Sequence, residues 1–225
     1  MALAGRAIIA IWNDITPEGR ANFNEWHPRE HMPERVGIPG FRRGRRYVAT
    51  EGGIEFFTLY EADNVDVLVS PDYKARLNSP TSWSRTSVAA FRNNLRGVCR
   101  VVQSQGHADG AHLFTIRLSA EAGREVALEK FITDQIPAIL ERPEITGTHL
   151  CVCDHTLSGT NTNLQRERKI GVPDWVVMIE GATAAGVKAQ GRALLDRKLT
   201  EHGAKPDIVG ELYQLEYSIA KFGAA

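Results

Sequence analysis

The chain has 225 residues, 43% of them hydrophobic and 24% charged, with Lys+Arg and Asp+Glu both at 27. That is enough apolar material for a packed core, and a formal net charge of zero excludes the basic excess expected of a nucleic-acid binder. No apolar run reaches the roughly 18 residues needed to span a bilayer, the N-terminus lacks signal-peptide character, and three cysteines argue against a disulfide framework, so a reducing cytoplasm is the expected setting.

Residues 7–15 (AIIAIWNDI) read as a buried strand. Thr16-Pro17-Glu18 then reads as a helix start, with a Thr N-cap, Pro at the first position and a carboxylate near the positive end of the dipole. Phe23, His27 and His31 follow at i, i+4 and i+8, on one helical face. Pro28 is expected to kink or restart the helix, and Ile38-Pro39-Gly40 ends the region. Strands are expected over 41–50 and 54–62 around a tight Glu51-Gly52-Gly53 turn, then helix over 65–94 interrupted near Ser79-Pro80, then a fourth strand over 97–103.

From residue 111 the order starts again: a strand over 111–119, helix over 121–141, strands over 145–155 and 174–182, helix over 183–202 and a last strand over 207–219. Pro33 and Pro39 recur as Pro137 and Pro143, a shift of 104 positions in both cases (137 − 33; 143 − 39). A period that long means a duplicated domain rather than a solenoid. Both halves read βαββαβ, the ferredoxin-like arrangement, with the first repeat over 1–105 and the second over 106–225.

Each unit makes a four-stranded antiparallel sheet with its helices on one face. The other face is too apolar to meet water, so the two sheets should pack face to face. The expected fold is α+β, a single-chain version of a dimeric α+β barrel; the alternative is two ferredoxin-like domains with no shared core. The second half carries a polar insertion, 156–173, of the kind that forms surface loops and sometimes lids.

At Glu25-Trp26, Glu30-His31-Met32-Pro33 and residues 36–47 the sequence resembles the EthD-like group of the dimeric α+β barrel superfamily. The pattern is a helical W-x3-E-H-x-P, then P-G-F and an arginine-rich strand ending R-R-Y. It covers about 30 residues well and the first half loosely. Relatives include muconolactone isomerases, cofactor-free monooxygenases and polyketide cyclases; others bind haem. The resemblance implies an apolar cleft between sheet and helices that holds a small, often aromatic, molecule. Gln135 and Phe131 stand where His31 and His27 would repeat, so one half alone would carry the histidine site.

His31 is the first candidate for chemistry, because an imidazole titrates near neutral pH and can exchange a proton with a bound substrate. The alternative is that it caps the helix by bonding a backbone carbonyl. His27-Pro28-Arg29-Glu30-His31 also spells H-x-x-E-H, a metalloprotease string, but Pro28 disturbs the helix that would hold both ligands and no third ligand is evident.

Strand alternation puts Arg43, Arg45, Tyr47 and Ala49 on one side. The 104 shift puts Gly147, His149, Cys151, Cys153 and His155 on the matching side, facing the barrel interior. Arg45 beside Tyr47 could hold a carboxylate, phenolate or enolate; alternatively the arginines pair with carboxylates such as Glu55 or Glu61. Cys151 and Cys153 read best as small buried hydrophobes. Tyr60, Trp12, Trp83 and Trp175 are candidate pocket aromatics, and no nucleotide-binding string is present.

The expected function is a small-molecule catabolic or secondary-metabolism enzyme, a lyase, isomerase or cofactor-free oxygenase. His31 would be the acid/base and Arg45 and Tyr47 would steady negative charge, with Trp26, His27, Tyr60, His149 and His155 contacting the substrate. No cofactor is expected; the alternatives are a divalent metal or haem on His27 and His31, or a non-catalytic accessory protein. The partners expected are a small organic substrate, no nucleic acid and no membrane, with room for a homodimer through outer strands.

Overall fold

The computed structural model describes residues 2–159 and 170–221. Eight strands close into one antiparallel barrel: β1 (Ala7–Ile15), β2 (Phe41–Ala49), β3 (Phe56–Ala62), β4 (Phe91–Gly106), β5 (His112–Leu118), β6 (Ile145–Cys153), β7 (Trp175–Gly181) and β8 (Val209–Ala220). Around the barrel they run β1-β3-β2-β8-β5-β7-β6-β4. Each half contributes four adjacent strands in the order fourth, first, third, second, and β6 spans the residues of β2 displaced by 104 at both ends (145 − 41; 153 − 49). The sheets do more than face each other: hydrogen bonds between β2 and β8, and between β4 and β6, join the halves at both seams. Closure leaves no unpaired sheet edge in the barrel.

Alternation along the strands sorts the side chains. The inner face carries an apolar middle that includes Ile8, Ala10, Trp12, Tyr47, Phe57, Val176, Met178 and Tyr213. Arg43, Arg45, Glu61, His149 and Glu180 are buried beside it and bound to one another. The outer face of the second half is covered by α5 (Glu125–Leu140) and α7 (Ala184–Leu195), which pack Ile132, Ile136 and Val187 on Phe114, Ile116 and Ile179. In the first half the cover is broken into short pieces: α1 (Arg20–Trp26), a π-helical segment (His27–His31), α2 (Met32–Val36), α3 (Pro71–Asn78) and α4 (Ser82–Val88). At Gly44 a Cβ would lie 2.9 Å from Met32 Cγ, so the glycine within the arginine run is what lets α2 rest on β2.

Three local expectations are corrected. β4 starts at Phe91 instead of continuing a helix to 94, because Asp14 and Ile15 pair with Arg92 and Phe91 around a bulge. β6 ends at Cys153, because the Asp154 side chain accepts a hydrogen bond from the Leu157 N–H and caps a short helix, α6 (His155–Ser158). Cys153 is not an isolated buried thiol, and its partner is Cys99. They stand opposite each other across the β4–β6 seam and form a disulfide, and Cys151 is the free buried cysteine. Most of the 156–173 insertion lies outside the described residues. Among the described residues, no helix is long and apolar enough to cross a membrane.

Candidate active site

Pro28 shapes the site. Without an N–H it cannot continue the i→i−4 ladder, and the helix widens until the Met32 N–H bonds the His27 carbonyl five residues back. Such π-turns often occur at functional positions. The wider turn lets Trp26 and His31, five apart in sequence, stack with centroids 4.4 Å apart and planes 28° apart. Phe23, His27 and His31 form the expected column, at 5.1 Å and 5.6 Å between successive rings. Glu30 points elsewhere: its carboxylate accepts from Trp26 Nε1, Thr81 Oγ1 and Ser84 Oγ, tying the first helical region to α4.

Between these helices and the outer face of the first-half sheet lies a cavity of about 880 Å³ counted with its open mouth. Ile9, Ile11 and Tyr60 form its floor, and Trp26, His31, Arg35, Tyr73, Phe91 and Arg96 its walls. His31 is partly exposed, and its side chain makes no hydrogen bond among the described residues. It therefore does not act as a helix cap. Burial, then the nearby Arg35 and His27, push its pKa well below the usual histidine value. At neutral pH it is an uncharged imidazole. The Tyr60 hydroxyl is also buried without a partner among the described residues, and burial pushes its pKa up despite the opposing charge of Arg35. The phenol remains a proton donor at neutral pH.

The other predicted site residues divide by sheet face. His27 is buried beneath the cavity wall, with Nδ1 bonded to the Tyr217 hydroxyl; burial and Arg46 lower its pKa too. Arg45, Tyr47 and His149 lie on the inner face of the barrel, as strand parity requires. That is the opposite side of the sheet from His31, so the structure does not bring Arg45 and Tyr47 to the imidazole. Arg45 is 1% exposed and ion-paired to Glu61 and Glu180 at 3.0 Å and 2.9 Å. His149 bonds Glu180 at 3.2 Å and Ser104 at 2.8 Å. Burial alone would raise the Glu180 carboxyl, but Arg45 and His149 reverse this and hold it well below the usual carboxylate range. This is a closed structural network.

His155 does not face the interior. It is exposed on α6 and pairs with Asp174. Of the other candidate aromatics, Trp12 is inside the barrel, while Trp83 and Trp175 pack in separate outer cores. The sequence reading missed Arg35, Tyr73 and Arg96. Arg35 was within reach, since it follows His31 by four residues on one helical face. Tyr73 and Arg96 were not, because α3 has no clear apolar stripe and the start of β4 was misplaced.

No protein family matches the sequence, and no curated protein does. Solved structures match across the whole chain. An anthrone oxidase-like protein aligns at a TM-score of 0.65 with 9% identity, over 98% of this chain and 95% of its own. A candidate monooxygenase of Fusobacterium nucleatum aligns at 0.63 with 8% identity, over 99% and 98%. A haem-binding protein of Thermus thermophilus aligns at 0.52 with 8% identity, over 96% and 92%. At such identities the likeness carries the fold alone, that of a dimeric α+β barrel.

Proposed function

We propose that this chain is a small-molecule enzyme whose cavity binds an aromatic substrate and whose His31 removes a proton from it. The observation that carries this reading is an uncharged imidazole, unbonded among the described residues, on the wall of an apolar cavity whose floor carries a phenol that also has no partner among them. A lowered pKa alone makes a weak base. Here deprotonation creates a substrate anion next to the new imidazolium, and that pairing offsets the cost of charging the ring. Tyr60 and Arg35 take the place of Tyr47 and Arg45 as the groups that meet developing negative charge. Proton abstraction is the step shared by isomerases, lyases and cofactor-free oxygenases, and the anthrone oxidase-like and monooxygenase neighbours favour an oxygenase. The Trp26–Pro33 pattern supports an EthD-like ancestry, and the matched strand order and 104-residue shift support a tandem ferredoxin-like duplication.

The test is exchange of the acidic C–H of anthrone-type ketones in heavy water, followed by NMR. Exchange should run well above the buffer rate with the protein present; a buffer-level rate would overturn the reading.

A second reading has a specific donor set behind it. His31 is an imidazole on the wall that could meet a haem iron, and Arg35 and Arg96 suit propionates; a bound haem would supply redox chemistry. A divalent metal on His27 and His31 does not fit, since His27 is engaged by Tyr217 and off the wall. Hemin titration should give a shifted Soret band that His31→Ala abolishes if haem binds, and the spectrum of free hemin if it does not.

A further inference from the structure

We infer that the ligand of this cavity is an aromatic monocarboxylate, its charge received by Arg96 with Arg35 and Tyr73; this rests on the cavity being the substrate site. Arg96 is 6% exposed and projects from the helix-facing side of β4, opposite Ile11 in the register. Its partners among the described residues are neutral, the Ser158 carbonyl at 3.2 Å and the Tyr73 hydroxyl at 3.1 Å. No carboxylate among the described residues lies within ion-pair distance of it.

Three other buried arginines, all on β2, are paired closely. Arg43 meets Glu61 at 2.8 Å, Arg45 meets Glu180 at 2.9 Å and Arg46 meets Glu216 at 2.6 Å. A buried guanidinium without a counter-charge is costly, and Arg96 bears that cost on the wall of an open cavity. A fold that needed Arg96 only for packing would have no reason to leave the charge unpaired.

The neighbouring groups define the ligand. Arg35 is 9% exposed and also lines the wall; among the described residues it pairs with Glu34 at 3.7 Å, and its Nη1 has no hydrogen-bond partner. Glu34, which also meets the exposed Arg76 at 4.0 Å, offsets part of the Arg35 charge, so Arg96 is the one buried guanidinium here with no carboxylate near it among the described residues, and a single negative charge on the ligand suits it. The Tyr73 oxygen accepts from Arg96, so its O–H proton is available to donate. Two of the five guanidinium N–H groups of Arg96 are used, leaving donors for a planar carboxylate. Among the described residues no Asp or Glu lines the wall, and Ile9, Ile11, Trp26 and Phe91 supply apolar surface for a ring.

Isothermal titration of the intact protein with 2-naphthoate and with its neutral isostere 2-naphthamide tests this. The acid should bind more tightly than the amide by about tenfold to a hundredfold, the range of a charge-assisted hydrogen bond. Arg96→Met should abolish that preference and Arg96→Lys retain part of it. His31→Ala should leave it intact, so loss of exchange activity in that variant with the acid preference preserved would separate a base from an anion site. Equal binding of acid and amide by the unaltered protein would overturn the inference. So would a preference that survives in Arg96→Met, or no binding of either probe. The comparison within the unaltered protein decides the matter even if Arg96→Met fails to fold.

Discussion

Replacing His31 by alanine is expected to lower kcat by about 10²–10⁴-fold, the usual contribution of a positioned acid/base group, with the fold retained. The imidazole makes no side-chain hydrogen bond among the described residues, so its loss leaves no protein partner stranded. The structural cost is the stacking on Trp26, about 0.5–1.5 kcal/mol for a ring pair. Urea denaturation and C–H exchange kinetics on the same preparation separate the two effects. Near-normal exchange in a folded His31→Ala protein would remove His31 from the mechanism.

The pH dependence adds a second readout. The pKa of His31 is depressed, so the active neutral form should persist through neutrality and the rate should fall only well below about pH 6.5. The same depression has a stability sign. The unfolded chain takes up protons at His27 and His31 below about pH 6.5 while the folded chain resists. The stability they provide is present above that value and lost as pH falls. His31→Ala should therefore make stability less steep in pH across this window.

Much of the scaffold was legible because it rests on short-range rules. Alternation in FRRGRRYVA put Arg43, Arg45 and Tyr47 on one face, and the 104 shift aligned the whole of β6 with β2. The same parity placed those residues away from the ligand cavity, which the sequence reading did not separate from the barrel interior. A strand pattern says which residues share a face, but which face meets the cavity depends on how closely the helices pack. In the second half α5 is one continuous apolar-faced helix that fills its side. In the first half Pro28, Ser79 and Pro80 interrupt the cover, and the cavity lies beneath that broken cover. Arg96 and the Cys99–Cys153 pair depend on strands brought together by barrel closure, for which no local pattern exists.

The inner network should dominate stability. Arg45→Met is expected to destabilise the protein by about 3–5 kcal/mol, the usual cost of breaking a buried ion pair from one side. It removes the cation shared by Glu61 and Glu180, both almost fully buried. Glu61 keeps Arg43, but Glu180 is left with His149 and the Gly110 N–H. Glu180→Gln should cost less, because an amide oxygen can still accept from Arg45 and Gly110.

Acid unfolding distinguishes this loss from simple cavity formation. The folded-state pKa of Glu180 is depressed, so its contribution is fully present above the unfolded carboxylate value near about 4.3 and disappears as pH falls from there toward the folded value. Below that point the unfolded chain binds a proton that the native network refuses. Urea midpoints measured from pH 5 downward should therefore fall less steeply in Glu180→Gln than in the unaltered protein. Parallel slopes would mean that Glu180 is not held ionised by Arg45, and that the barrel interior is stabilised by packing rather than by charge.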